Sequence, residues 1–193
     1  DPEWSCLATV KPQVVIDAVL AKRNLGTRMQ DADLTIGLGP GFCAGSDVHK
    51  VIETQRGHHM GRIISTGPAA ANSGVPGNIN GHTAERVLRA PAGGPAGGVV
   101  RARVDIGTRV QPGQTVIDVG GLPVRAQIGG VLRGLIRDGR EVCPGLKVGD
   151  IDPRGDVGYC DSISEKARAI GGAVLVAIMN HHAAGQAARR INH

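Results

Sequence analysis

The sequence GVVRARVDIGTRVQPGQTVIDV occupies residues 98–119, and the related sequence GVLRGLIRDGREVCPGLKVGDI occupies residues 130–151. The two stretches align without a gap when Gly98 is placed on Gly130, 32 residues later. The positions that then coincide include three glycines, three valines, an arginine, a proline and an aspartate. We therefore predict two copies of one supersecondary unit rather than a chance similarity.

Each copy consists of three short β-branched runs separated by two turns. The first turn contains Gly107 or Gly139, and the second contains Pro112-Gly113 or Pro144-Gly145. Glycine supplies the positive φ that such turns require, and proline fixes φ at the first corner. Because runs this short cannot bury a face alone, the two copies are expected to close on each other as a small sandwich with pseudo-twofold symmetry.

This layout resembles the barrel-sandwich hybrid fold of biotinyl and lipoyl carrier domains. Such carriers modify a lysine at the tip of the hairpin that joins the two halves. Here the joint at residues 120–123 reads GGLP, and the nearest lysine, Lys147, follows the second Pro-Gly turn. The sequence therefore argues against a covalently attached cofactor arm.

The region before the repeat contains four short apolar runs, each a candidate strand. They read VVIDA, ADLTIGL, VHKVIET and GRIIST, at residues 14–18, 32–38, 48–54 and 61–66. For the first run a helix is the rival interpretation, because residues 18–23 contain good helix formers. Strands separated by loops indicate part of a doubly wound, Rossmann-like α/β sheet, in which ligands bind beyond the carboxyl ends of the strands.

The Pro/Gly/Ala segment at residues 90–97 is the best domain boundary. We predict a partial α/β domain at residues 1–90, the β module at residues 91–155, and a C-terminal helix and tail at residues 156–193. The chain begins at Asp1 without a methionine, which is typical of the middle of a longer protein.

The C-terminal helix is predicted from a capping box in which Ser162 is the N-cap and Glu165 the N3 residue. We expect the helix to extend to about Met179 and the tail from Asn180 to be frayed. The Gly171-Gly172 pair costs helix stability, about 1 kcal/mol per glycine relative to alanine, and is therefore interpreted as a close packing contact.

Composition limits the function classes. The 193-residue chain has a net charge of +5 and a pI near 9.4, which permits an anionic partner, although a mildly basic surface explains the charge equally well. Its three aromatic residues provide no stacking platform for single-stranded nucleic acid. The longest apolar run, at residues 173–179, is too short to span a bilayer. The four cysteines contain no CxxC motif, as in reduced cytosolic proteins.

Three groups of residues are candidate sites, each with a structural alternative. The loop at residues 37–42, GLGPGF, could turn backbone N–H groups toward an anion, or be a tight turn. A polar set could ligate a metal or activate a thiol, although solvated side chains explain it better; it comprises Cys43, Asp47, His49, Glu53, Arg56, His58 and His59. Asp150, Asp152 and Arg154 could bind a polar ligand, or form an ion-paired turn, the favoured interpretation.

Five motifs of the chain resemble the accessory-protein family of the selenium-dependent molybdenum hydroxylase system. They are AKRNLGT at 21–27, GLGPGFCAGSDVHKVIETQRGHHMGRII at 37–64, GVPGNINGHTAERVLRAPAGG at 74–94, PVRAQIGGVLRGLIRDG at 123–139 and KVGDIDPRGDVGYC at 147–160. The resemblance implies a cytoplasmic factor for maturation or cofactor handling. Family members usually carry a further amino-terminal segment with a glycine-rich, Rossmann-like nucleotide loop, so this chain is expected to hold the later strands of that domain and the β module.

We therefore expect an accessory protein that binds an anionic cofactor, either a molybdopterin-type cofactor or a nucleotide, or its molybdenum hydroxylase client enzyme. Two alternatives stay open: an enzyme that inserts sulfur or selenium into the cofactor, with Cys43 as its thiol, and a structural docking module. A homo-oligomer is compatible with each of these three functions. The sequence assigns no metal ligand, catalytic residue or membrane partner. The candidate cofactor-binding residues are Gly37, Gly39, Gly41, Phe42, Asp47, Asn78, Asn80, Asp152 and Arg154.

Overall fold

The computed structural model describes residues 4–91 and 98–191, and side chains as far as residue 187. The chain forms two units, Asp1–Ser73 with Ser164–His193, and Gly74–Ile163. These bounds differ from the predicted domains, because residues 74–90 belong with the repeat and the C-terminal helix returns to the first unit. Most of the predicted linker, residues 92–97, lies outside the described residues.

The described residues of the first unit form two α-helices and six strands. These are α1 Cys6–Val10, β1 Val14–Asp17, β2 Leu34–Leu38, β3 Cys43–Ala44, β4 Lys50–Ile52, β5 Ile63–Ile64, β6 Gly67–Pro68 and α2 Glu165–Ile191. The main sheet has the order β1-β2-β4-β5, in which β1, β2 and β4 are parallel and β5 is antiparallel. Strands β3 and β6 form a separate antiparallel ribbon.

All four predicted strands of this region are present, each shorter than its apolar run. The described segments between the parallel strands contain no crossover α-helix of the kind that a doubly wound sheet has. The described segment 18–33 contains only a 3₁₀ turn at Met29–Asp31, and segment 39–49 contains only β3. The architecture is therefore mixed, mostly β, with one long C-terminal helix.

The main sheet has a buried apolar cluster on each face, because successive strand residues point to opposite sides. Leu34, Ile36 and Ile52 pack with Ala177 of α2. Phe42, Ala44, Val48, Val51 and Ala69 form the other cluster. The single helix α2 therefore covers one face of the sheet, and the loops around β3 and β6 cover the other.

Helix α2 begins and ends later than predicted. The hydroxyl of Ser164 accepts a hydrogen bond from Ala167 N at 3.2 Å, so Ser164 is the capping residue. Ser162 instead donates its hydroxyl to Gly158 O at 2.8 Å. The prediction of a frayed tail from Asn180 is wrong, because the helix continues to Ile191.

The predicted packing contact at Gly171-Gly172 is also wrong. Both glycines are exposed, and a Cβ added to either would meet nothing within 4 Å. The close approach to α2 is made elsewhere, by Gly61, where an added Cβ would lie 3.3 Å from Ala169 O.

The part of the second unit that the structure describes forms eight strands. They are β7 Val87–Arg89, β8 Gly98–Ala102, β9 Arg109–Val110, β10 Thr115–Val119, β11 Leu122–Arg125, β12 Gly130–Leu135, β13 Glu141–Val142 and β14 Lys147–Asp152. They form two four-stranded sheets with the orders β11-β10-β8-β13 and β7-β14-β12-β9. Strands β9 and β13 have changed places, each pairing with the sheet of the other repeat.

The predicted turns of the repeat are confirmed in both copies. Gln114 N donates to Gln111 O at 3.1 Å and Leu146 N donates to Cys143 O at 3.2 Å, which closes a four-residue turn around each Pro-Gly pair. Gly113 has φ of 84° in the first of these turns. Because the third residue of a type II turn needs positive φ, glycine is required there.

The repeat is longer than the sequence comparison indicated. Leu88-Arg89-Ala90 and Val124-Arg125-Ala126 occupy equivalent places, since Ala90 N donates to Leu146 O at 2.9 Å and Ala126 N donates to Gln114 O at 2.9 Å. Each repeat therefore has four strands, β7 to β10 and β11 to β14. One continuous core, built from both repeats and including Val100, Ile117, Leu132 and Ile151, lies between the sheets.

Candidate functional site

The parallel strands β1, β2 and β4 end at one edge of the first unit's sheet. Asp17 is the last residue of β1, the glycine loop 39–41 follows β2, and Glu53 and Thr54 follow β4. In open α/β sheets this carboxyl edge is the usual place for ligands. We call this region the strand-end site.

The predicted glycine residues lie at this edge, and close packing explains each of them. A Cβ on Gly37 would collide with the Phe42 ring, which is itself buried. A Cβ on Gly39 would collide with Thr54, and one on Gly41 would lie 2.6 Å from the backbone of Arg23. The N–H of Gly39 donates to Ile52 O at 2.9 Å and is therefore not available to an anion.

The loop after β1 is anchored by side-chain hydrogen bonds and approaches the glycine loop at Arg23. Asp17 is 4% exposed and accepts a 2.6 Å hydrogen bond from the Thr27 hydroxyl. Asn24 accepts from Gly26 N at 2.8 Å and from Thr27 N at 2.9 Å. Between these anchors Leu20 and Lys22 adopt left-handed φ values of 61° and 64°. Such conformations are costly for residues with a Cβ and are often found at functional sites.

The first turn of α2 brings a lysine to the same edge. Burial lowers the pKa of Lys166 below its ordinary value of 10.5, and the charges of Arg56 and then Lys22 lower this pKa further, against a smaller opposing effect of Glu53. The three cations come from the loop after β1, the segment after β4 and the helix. We call Lys22, Arg56 and Lys166 the strand-end cluster.

The carboxylates near this cluster are already engaged. Glu53 is 5% exposed and accepts from Gln55 N at 2.7 Å and from Ala70 N at 2.8 Å. Arg56 pairs with Glu165. Within residues 4–91 and 98–187, neither Lys22 nor Lys166 has an ion pair or hydrogen-bond acceptor. An anion would therefore relieve the repulsion around Lys166.

The other predicted residues of this unit have structural roles. Asp47 accepts from Cys43 N at 2.9 Å and so fixes the loop between β3 and β4. Cys43 is half-buried, with Sγ 4.0 Å from Ala44 O. His49 Nδ1 lies 3.0 Å from both the N–H and the hydroxyl of Thr35. Burial is the main cause that lowers the pKa of His49, followed by the charge of His181.

The polar set does not converge as a metal site in the part of the chain that the structure describes. No group of three or more His, Cys, Asp or Glu side chains there is placed to hold an ion. His58 and His59 pack edge to face, with ring centroids 5.0 Å apart.

Asn78 and Asn80 belong to the second unit and form a tight hairpin turn. Ile79 and His82 exchange backbone hydrogen bonds of 2.9 and 3.0 Å around Asn80 and Gly81, whose φ values are 51° and 86°. Two positive φ values are typical of a type I′ turn, for which Asn-Gly is the preferred sequence. Asn78 accepts from Gly81 N at 3.0 Å. These asparagines thus have a local structural role.

Asp152 and Arg154 also lie in the second unit, where their opposite charges form an ion pair. Asp152 is 1% exposed and accepts from Arg154 Nε at 2.9 Å and Nη2 at 2.6 Å. Arg133 Nη1 lies 3.4 Å from the same carboxylate. The hydrogen bonds of Arg154 are the main cause that holds the pKa of Asp152 below its ordinary value of 3.8. The ring of Tyr159 packs 4.4 Å from the Arg154 guanidinium carbon. We call Asp152, Arg133 and Arg154 the Asp152 cluster.

The sequence analysis missed three charged residues. Lys22 lies in the AKRNLGT motif and Lys166 follows the helix cap by two positions, but neither was assigned to a site. Arg86 was also missed; it is 6% exposed, reaches Asp150 at 3.2 Å, and has a buried Nε with no partner in the described structure. An arginine just before the apolar pair Val87-Leu88 was the only signal for it.

Comparisons with known proteins identify a relative of unknown function. No family model matches this chain. The chain is 52% identical over 179 residues to the uncharacterized protein YqeB of Escherichia coli strain K12, a match that covers 93% of this chain and 32% of that protein. The chain therefore spans about a third of the length of that relative.

A crystal structure of an aspartoacylase family protein from Mesorhizobium loti matches with a TM-score of 0.30 and 17% identity, over 35% of this chain and 22% of that one. None of the helices in the described part of the chain has the length and apolar character needed to cross a membrane.

Proposed function

We propose that this chain belongs to an accessory protein that matures selenium-dependent molybdenum hydroxylases or handles their cofactor in the cytoplasm. The five sequence motifs support this proposal. The observation that carries it in the structure is the strand-end cluster, where Lys166 lies among like charges and has no acceptor within the described residues. This chain spans about a third of the length of its relative. Any activity of a full-length protein is therefore itself proposed.

The proposal includes a finer description of both units. We take the first as a partial Rossmann-like domain, a view supported by three parallel strands and a glycine loop at their carboxyl edge. We take the second as a barrel-sandwich hybrid, a view supported by the exchange of β9 and β13 between two four-stranded sheets. The described hairpin Gly120-Gly121 has no lysine for a carrier role.

The ligand of the strand-end site is an anionic, phosphate-bearing cofactor, either of the molybdopterin type or a nucleotide. Lysine is a compact point charge that suits phosphate. Lys22 and Lys166 would bind the anion, while Gly39 and Gly41 let the loop pack closely against Thr54 and the Arg23 backbone. The strained backbone at Lys22 is the expected cost of placing that residue at the site.

Calorimetry with ADP and with molybdopterin released from a purified hydroxylase tests this assignment. Lys22→Gln and Lys166→Gln should each weaken binding about tenfold or more, because each removes a charge that contacts the anion. Lys11→Gln, an exposed lysine of the same unit, is the matched control. Unchanged binding in the Lys166→Gln variant would exclude the strand-end site.

Co-purification tests the client. The chain, tagged and expressed beside a molybdenum hydroxylase, should retain that enzyme, and retention should survive Lys166→Gln if the client binds elsewhere. If the protein retains no hydroxylase and binds neither pterin nor nucleotide, the accessory function is rejected.

A further inference from the structure

A second candidate site lies in the other unit, between the edge strands β7 and β11. A cavity of about 410 Å³ opens there. Its lining residues are Ala84, Val87, Leu88, Arg89, Pro91, Pro123, Val124, Arg125 and Gln127. Most come in equivalent pairs from the two repeats, such as Leu88 with Val124 and Arg89 with Arg125. The cavity therefore lies at the pseudo-twofold axis of the repeat.

Each repeat contributes one arginine in the same way. Arg89 Nη1 donates to Gly145 O at 3.0 Å, and Arg125 Nη1 donates to Gly113 O at 3.0 Å. Each bond ties the guanidinium to a Pro-Gly turn of the other repeat. The Nε and Nη2 donors have no acceptor within residues 4–91 and 98–187, and neither arginine pairs with a carboxylate there.

The rest of the cavity wall is uncharged and largely apolar. Val87, Leu88 and Val124 are 3%, 2% and 7% exposed, and two prolines flank them. No acidic side chain is among the lining residues. Two cationic side chains beside an apolar surface suit a ligand with a hydrocarbon chain and an acidic group at each end.

We propose that this cavity binds a small dicarboxylate, with one carboxylate on Arg89 and the other on Arg125. The guanidinium fork binds carboxylates through paired hydrogen bonds, and the donors that the turns leave unused can form them. The cavity volume falls within the usual range for small-molecule sites. This site is separate from the strand-end site and does not depend on the proposed function.

Calorimetry with a series of straight-chain diacids, glutarate, adipate and suberate, provides the test. One chain length should bind best, because the two arginines are held at a fixed separation. Arg89→Gln and Arg125→Gln should each weaken its binding about tenfold or more, and by similar factors, because the two side chains are equivalent. Arg137→Gln changes an exposed arginine of the same unit outside the cavity and should leave binding unchanged.

A second variant separates binding from folding. Ala84→Phe fills the exposed rim of the cavity and leaves both arginines in place, so it should abolish binding without changing the thermal unfolding temperature. The proposal is overturned if none of the three diacids binds. It is equally overturned if binding survives both arginine changes, or if hexanoate binds as tightly as adipate.

Discussion

The Asp152 cluster of the second unit and the strand-end cluster of the first both bring several charged side chains together, but they differ in what balances the cations. Asp152 is almost completely buried and faces two arginines, one of them through two hydrogen bonds. Lys166 has two cations near it, and its nearest carboxylates are engaged elsewhere. Compensated charge holds the fold together, whereas uncompensated charge is available for a ligand. The same change, removal of one charge, should therefore have opposite effects on stability in the two places.

Asp152→Asn should give the largest effect. Loss of the carboxylate leaves Arg154 and Arg133 without their shared anion, and breaking a buried pair of this kind costs about 3 kcal/mol of unfolding free energy. Urea denaturation measures this cost. Glu141→Gln makes the same chemical change at an exposed carboxylate and should alter the unfolding free energy by less than about 0.5 kcal/mol. Equal effects of the two changes would show that the buried Asp152 pair contributes no more to stability than an exposed carboxylate does.

The stabilisation by Asp152 should also depend on pH. Because the pKa of Asp152 in the folded protein lies below its ordinary value of 3.8, its stabilisation is fully present above that value and is lost as pH falls through the folded pKa. The gap in unfolding free energy between the natural protein and Asp152→Asn should therefore be constant at neutral pH and shrink in acid. A gap that is independent of pH down to the acid limit of folding would contradict the pairing.

Two glycines within α2 and one glycine that packs against it provide an intermediate effect. Gly171→Ala and Gly172→Ala should each stabilise the protein by about 1 kcal/mol, because both positions are helical and open. Gly61→Ala should destabilise it, since Gly61 has φ of 82° and an added Cβ would press on Ala169 O. Thermal unfolding of the three variants measures the contrast. Loss of stability in Gly171→Ala would indicate a contact that the structure does not show.

Lys166→Gln should give the smallest effect on stability, and one of opposite sign to that of Asp152→Asn. The lowered pKa means that the folded state binds the lysine proton less tightly than the unfolded state does. The protonated lysine therefore lowers the free energy of unfolding at neutral pH, and this effect disappears as pH rises toward 10.5. Removing the charge should raise stability by less than about 1 kcal/mol, and added salt should reduce the gain. Lys11→Gln is the control, and a destabilised Lys166→Gln protein would argue against the uncompensated cluster.

Local chemistry made part of the fold predictable. The β-branched runs, Gly107, Gly139 and the two Pro-Gly turns determine conformation within a few residues, and these features were found as predicted. The first strand of each repeat was missed, because Leu88 and Val124 are separated by four residues more than the rest of the repeat. The Asn80-Gly81 turn was also missed, although its dipeptide is a strong hairpin signal.

The candidate sites were less predictable, because they depend on contacts between distant parts of the chain. Gly37 and Gly41 look like a phosphate loop in the sequence, but the Phe42 ring and the Arg23 backbone account for them. Lys22 and Lys166 come together only because α2 returns to the first sheet. No periodicity or spacing in the sequence encodes that return, so the strand-end cluster could not be assigned beforehand.

The exchange of β9 and β13 determines how the two sheets of the second unit can form. Each sheet contains strands of both repeats, so neither repeat alone supplies a complete sheet. A polypeptide with a single repeat could complete its sheets only by pairing with a second copy of itself. Because both repeats lie in one chain, the two sheets form within that chain, and their formation is independent of protein concentration. The repeats can also carry different residues at equivalent positions, as Gln111 and Cys143 show.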